Sequence, residues 1–166
     1  MRITIKNTSK MVAALFVAFG LIFSSCKKGD TGPAGKDGVA NISSNIYTIT
    51  PGSWSFSGTA SGVYEYNASV SDANITDADK DCVEAYYSNT PSGSWYAMPY
   101  SFGTNSLSFG YQNGNLYVIL DETIQQTPTS TYYIKVVVIP PTQRKAHPNV
   151  NYHNYEEVKA TFNLKD

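Results

Sequence analysis

From residue 46 onward, apolar and polar positions alternate in short segments separated by clusters of Gly, Pro, Asn, Asp and Ser. That spacing predicts strands stacked in an antiparallel sandwich. Ile46 to Thr50 is the first expected strand, and Trp54 to Ser57 the second, beyond Pro51-Gly52. Val63 to Ser71 places Tyr64, Tyr66, Ala68 and Val70 on one side. Cys82 to Ser88 follows, and Pro91-Ser92-Gly93-Ser94 turns the chain into Trp95 to Tyr100. Ser106 to Gln112 and Leu116 to Asp121 flank Asn113-Gly114, a pair suited to the positive φ angles of a type I′ hairpin turn.

Tyr132 to Ile139 has the strongest strand pattern in the chain. Tyr132, Ile134, Val136 and Val138 face one way, and Tyr133, Lys135, Val137 and Ile139 the other. Both faces are apolar except at Lys135, so the segment reads as a central strand covered on both sides or flanked by the last helix. Pro140-Pro141 ends it, and Thr142 to His153 is expected to be a loop. Asn154 can cap a short helix with Glu156 and Glu157 in its first turn, where negative charge suits the helix dipole. Tyr155, Val158 and Phe162 form its apolar stripe. No other helix is expected in the domain.

The N-terminus has a different pattern. Met1 to Lys10 carries Arg2, Lys6 and Lys10 with no acid, and Met11 to Phe23 is apolar apart from Gly20, as in a cleaved secretory leader. A permanent membrane helix is the rival reading, but it needs about 20 apolar residues, and this run ends earlier in Ser24-Ser25. Removing the leader also removes three basic residues, leaving nine against 13 acidic ones and a net charge of about −4. Nucleic acid is therefore not an expected partner. The 141 residues from Cys26 to Asp166 suffice for one domain with a core, and 13 Tyr with many Thr, Val and Ile give it a β composition. Its other cysteine, Cys82, reads as a small buried hydrophobe, because a secreted domain stapled by disulfides would carry several more.

Ser24-Ser25-Cys26 resembles the lipobox of bacterial lipoproteins, although Phe23 stands where that motif usually has Leu. The resemblance implies lipidation of the Cys26 thiol and acylation of the new amino terminus. The rival is an ordinary secreted protein with Cys26 a spectator. Residues 29–40 then form four Gly-X-Y triplets, Gly29-Asp30-Thr31 through Gly38-Val39-Ala40. Four triplets are few for a collagen triple helix, so a hydrated spacer is favoured over a trimerising stalk. Lys27 to Ala40 would reach about 43 Å fully extended.

The leader, the stub, the strand Tyr132 to Pro140, the Trp95-Tyr96-Ala97-Met98-Pro99-Tyr100 run and the ending Tyr155-Glu156-Glu157-Val158-Lys159 together resemble uncharacterised collagen-like lipoproteins of the Bacteroidota type. The resemblance implies a cell-envelope β domain and transfers no catalytic residue. Lys27, placed where proteobacterial retention signals have Asp, implies an outer-membrane destination, facing either the periplasm or the medium. The expected organisation is a leader over 1–25, a lipidated cysteine and Gly-X-Y linker over 26–45, and a domain over 46–166. That domain is expected to be mainly β, an immunoglobulin-like or related antiparallel β-sandwich with one short C-terminal helix.

Candidate chemistry is sparse. Asp77, Asp79 and Asp81 have a spacing that could offer carboxylates to calcium, yet Cys82 and Ser88 stand where an EF-hand loop needs Gly and Glu. With Asp72 they read as an acidic, solvated loop. His147 and His153 lack a third zinc ligand nearby and read as surface residues. No Gly-x-Ser-x-Gly elbow and no phosphate-binding Gly loop is present. No metal or cofactor is expected, and the domain is read as non-enzymatic. The aromatics carry the remaining signal. Trp95 and Tyr96, with Trp54, Tyr100 and Tyr111, could stack on sugar rings or anchor a protein partner, although sandwich aromatics more often pack in the core. The expected function is a lipid-anchored envelope domain binding a ligand or partner. The alternatives are an assembly protein that forms a homotrimer through the Gly-X-Y stub, and an envelope hydrolase.

Overall fold

A computed structural model describes residues 41–165. The leader, Cys26 and the Gly-X-Y segment lie outside the described residues. Among the described residues, nine strands occur in chain order: β1 (Ser43–Ile49), β2 (Ser55–Ala60), β3 (Val63–Ser71), β4 (Cys82–Ser88), β5 (Tyr96–Ala97), β6 (Tyr100–Phe102), β7 (Asn105–Gln112), β8 (Asn115–Glu122) and β9 (Tyr132–Ile139). Two helices follow, α1 (Pro141–Ala146) and α2 (Tyr155–Phe162). The strands form two antiparallel sheets, ordered β1-β9-β4-β5 and β2-β3-β8-β7-β6. The expected mainly β sandwich with a short C-terminal helix is what the chain forms. Its strand order is that of a related sandwich, because an immunoglobulin domain orders its sheets ABED and CFG, whereas here the last strand lies inside a sheet between β1 and β4.

Period-two alternation places the core. Tyr66 and Ala68 of β3, Leu107 of β7, Leu116, Val118 and Leu120 of β8 and Ile134, Val136 and Val138 of β9 meet between the sheets. The opposite face of the first sheet carries a second cluster, in which Tyr86, Val137 and Ile139 pack against Tyr155, Val158 and Phe162 of α2. β9 is thus covered on both faces, as its two apolar rows require. The α2 helix forms where the capping residues place it. Asn154 Oδ1 accepts the backbone amides of Glu156 (3.1 Å) and Glu157 (3.4 Å). Asn163 ends the helix in the left-handed region, and the Leu164 amide returns to the Lys159 carbonyl at 3.0 Å.

Four local expectations need correction. Pro141–Ala146 is a helix rather than part of a loop. Pro141 occupies its first turn, where a missing N–H costs nothing, and Arg144 fastens it by pairing with Glu84 (3.3 Å) and lying 3.6 Å from the centre of the Tyr152 ring. The type I′ geometry appears at Ser61-Gly62, where both φ angles are positive. At Asn113-Gly114 only Gly114 is positive, and the turn is tied to the loop after β3, since Asn113 Oδ1 accepts from the Ala78 amide at 2.7 Å. The expected strand from Trp95 to Tyr100 divides into β5 and β6 around the cis Met98-Pro99 peptide. Finally, β1 starts at Ser43, inside the stretch expected to be linker.

The loop between β3 and β4 is organised by its acids instead of being merely solvated. Asp72 is buried, and its Oδ1 accepts from the Asn74 amide at 3.0 Å. Asp81 Oδ2 accepts from the Thr76 amide (3.1 Å), the Asp77 amide (3.0 Å) and the Thr76 hydroxyl (3.2 Å). Burial, with the Asp72 carboxylate adding to it, pushes the Tyr47 phenol up to about 12.

Two measurements test this packing. Ile134→Ala is expected to cost about 2–5 kcal/mol in urea unfolding, because the site is enclosed and cannot collapse around the loss. Glu122 ends the inward row of β8 at 6% exposure, its Oε2 has no protein partner, and burial raises its pKa. The folded state therefore holds this proton more tightly, and ionising the carboxyl destabilises the fold as pH rises past the ordinary Glu range. Between about pH 4 and about pH 7, wild type should lose stability relative to Glu122→Gln; equal urea midpoints for the two at both pH values would contradict this.

Candidate functional site

The turn Thr90-Pro91-Ser92-Gly93, closed by the Gly93 amide on the Thr90 carbonyl (3.3 Å), delivers Trp95 and Tyr96 to the edge of the first sheet. β5 is only two residues long, and neighbours in it point to opposite faces. Tyr96 pairs in register with Tyr87, whose ring joins the main core, while Trp95 packs with the helix-side cluster. A cleft of about 430 Å³ opens there. Trp95, Tyr96, Tyr100 and Tyr155 supply its rings, and Ser94, His153, Asn154 and Glu156 its polar rim.

Three of the five aromatic candidates, Trp95, Tyr96 and Tyr100, thus come together. Tyr96 is 47% exposed, and its ring stacks on Tyr100 at 5.0 Å with 27° between planes. Tyr100 touches Tyr87 (5.4 Å), Tyr87 touches Tyr132 (5.8 Å), and Tyr132 meets Trp54 edge-on at 5.7 Å. Trp54 is only 8% exposed, so it does not line the cleft. It forms the buried root of a run of rings whose open end is Tyr96. Tyr111 stands apart, stacked on Phe109 with its hydroxyl donating to the Asp81 carbonyl at 3.5 Å.

The other wall is positioned through Lys135. This side chain is 1% exposed, and its ammonium donates to Tyr155 Oη at 2.7 Å while lying 4.4 Å from the Trp95 ring centre and 4.1 Å from that of Tyr155. Aromatic faces can hold a desolvated cation in this way. Trp95 and Tyr155 also meet edge to face at 6.2 Å, and Tyr86 backs Tyr155 at 5.1 Å. Burial drives the Tyr86 phenol pKa upward, and its hydroxyl donates to the Tyr152 carbonyl at 2.6 Å. The aromatic wall is therefore held from behind by β9 and from the side by α2.

Sequence reasoning missed His153, Asn154, Tyr155 and Glu156 as cleft residues. They lie about sixty positions from Trp95 and were legible only as a loop, a helix cap and an apolar stripe. Their placement follows from α2 docking on β4 and β9.

The other candidate groups have local roles. His153 is exposed at the rim, whereas His147 is half-buried against the Phe162 ring at 5.1 Å. Cys82 is half-buried rather than fully buried and donates to Glu84 Oε1 at 3.4 Å. Burial, with Glu84 adding to it, pushes its thiol up to about 11, which keeps it protonated at neutral pH and unreactive. Among the described residues, no three His, Cys, Asp or Glu side chains gather as a metal-binding set, and no helix is long and apolar enough to cross a membrane. No protein-family model matches the chain, and no curated protein or solved structure matches it either.

Proposed function

We propose that this protein is a lipid-anchored component of the bacterial cell envelope, tethered through Cys26 and a Gly-X-Y spacer, whose sandwich binds a saccharide chain without converting it. The observation that carries the binding reading is the exposed Tyr96 ring stacked on Tyr100 at the mouth of a cleft with a polar rim. Sugar rings present apolar C–H faces to aromatic planes and hydroxyls to polar edges, and this cleft offers both. The rings are also pre-organised, since Trp95 and Tyr155 are held by Lys135 and Tyr100 by the buried run leading to Trp54. Little ordering cost remains to be met on binding. Glu156 on the rim and the acidic mature chain favour neutral or amino sugars over acidic ones.

The leader and the Ser24-Ser25-Cys26 junction support the anchor. More than one acyl chain on Cys26 would hold the domain firmly, where one alone would not. Lys27 supports the outer membrane as the destination, and the mature net charge supports partners other than nucleic acid.

A glycan array probed with the full chain tests the binding reading. Trp95→Ala and Tyr96→Ala should each weaken the strongest hits about tenfold, while Tyr111→Ala, away from the cleft, leaves them unchanged. Undiminished binding in both cleft variants would remove the cleft from the mechanism. The anchor is tested by fractionation: Cys26→Ser should move the protein from the membrane pellet to the soluble fraction, and retention in the pellet would contradict lipidation.

A further inference from the structure

A sandwich has four sheet edges, and each exposes backbone groups that can template another strand unless something protects it. Three edges here carry such protection. β5 and β6 are two and three residues long. β2 is broken by a register shift between Phe56 and Gly58, and the acid of its partner strand reaches over it, with Ser57 Oγ donating to Glu65 Oε1 at 2.5 Å. The fourth edge, β1, has none of these devices. It pairs with β9 in unbroken register over all seven residues, and its sequence, Ser-Ser-Asn-Ile-Tyr-Thr-Ile, contains no charge, proline or glycine. Its other side has no strand partner among the described residues.

β1 is also two-sided in a way that suits a copy of itself. Tyr47 and Ile49 belong to the main core, so the odd-numbered positions face inward. Ile46, beside Lys135 on the opposite face, remains 40% exposed. We propose that β1 is a dimerisation edge, pairing antiparallel with β1 of a second copy about a two-fold axis through Ile46. Pairing all seven residues places the central one, Ile46, opposite itself. Ser44 then faces Thr48, Asn45 faces Tyr47 and Ser43 faces Ile49 of the partner copy, so inward positions meet inward positions and the two cores stay aligned. The two exposed Ile46 side chains cover each other, and the four-stranded sheets join into one continuous sheet.

The absence of charge selects a second copy as the occupant. A charge at the self-opposed position 46 would meet the same charge across the axis and repel it, whereas a dedicated peptide acceptor gains from charges that choose its partner. Chain direction agrees. Residues preceding β1 enter the two copies at opposite ends of a ladder about 24 Å long, a span within the roughly 43 Å reach of residues 27–40.

Cysteine trapping in the full chain, in cells that express it, tests both the contact and its register. Opposite residues in such a ladder hold their Cβ atoms ~4.5–5.5 Å apart, within easy adjustment of disulfide geometry. With wild type as the background for Cys82, Ile46→Cys should give a dimer band on oxidation. Ser44→Cys and Thr48→Cys should each stay monomeric alone but cross-link when the two are co-expressed. A second measurement uses Ile46→Lys, an exposed substitution whose folding is checked by circular dichroism. In sedimentation, wild type should dimerise and this variant should show a dissociation constant raised about tenfold or more. A wild-type chain monomeric at all concentrations overturns the proposal, as does cross-linking that is equal at positions 44, 46 and 48.

Discussion

Burial of β9 on both faces is the constraint on which the rest of the structure depends. Its inward row, Ile134, Val136 and Val138, completes the core between the sheets, and Val137 and Ile139 complete the cluster beneath α2. A strand apolar on both sides has no stable place at a sheet edge or beside solvent. β1 and β4 therefore flank it, the second sheet covers one face, and the C-terminal helix covers the other. The helix is consequently part of the packing rather than an appendage.

Lys135 is the exception in that outer row, and it links the packing to the cleft. An ammonium that cannot reach water must find acceptors or electron-rich faces, and here it finds the Tyr155 hydroxyl and the faces of Trp95 and Tyr155. One residue from the end of a loop and one from the start of a helix are thereby held against the same strand. The cleft between them is a by-product of stabilising β9, which explains why its aromatic wall is rigid and why its polar rim comes from the segment that caps α2.

Much of this was legible in the sequence where local chemistry and packing agree. Val63–Ser71, Cys82–Ser88 and Tyr132–Ile139 have the bounds that their alternation and turn residues predict, and the Asn154 cap and the Tyr155, Val158, Phe162 stripe locate α2. Legibility ended where long-range contacts outweigh local preference. Pro140-Pro141 reads as a stop, yet an Arg144 contact with β4 and Tyr152 turns the next residues into a helix. Asn113-Gly114 has the composition of a type I′ turn, but hydrogen bonds to the loop after β3 draw it away from that geometry. Of the site, the opposed directions of Trp95 and Tyr96 follow from the strand period. Burial of Trp54 and the approach of residues 153–156 do not, because both depend on which elements pack together.

Native-state hydrogen exchange followed across a urea series tests the place of β9 most directly. If this strand unites both clusters, the amides of Val136, Val137 and Val138 exchange only through global unfolding, with an opening free energy and urea dependence equal to those of whole-domain denaturation. Exchange of these amides through a smaller opening, at a free energy no higher than that of edge strand β2, would contradict the account.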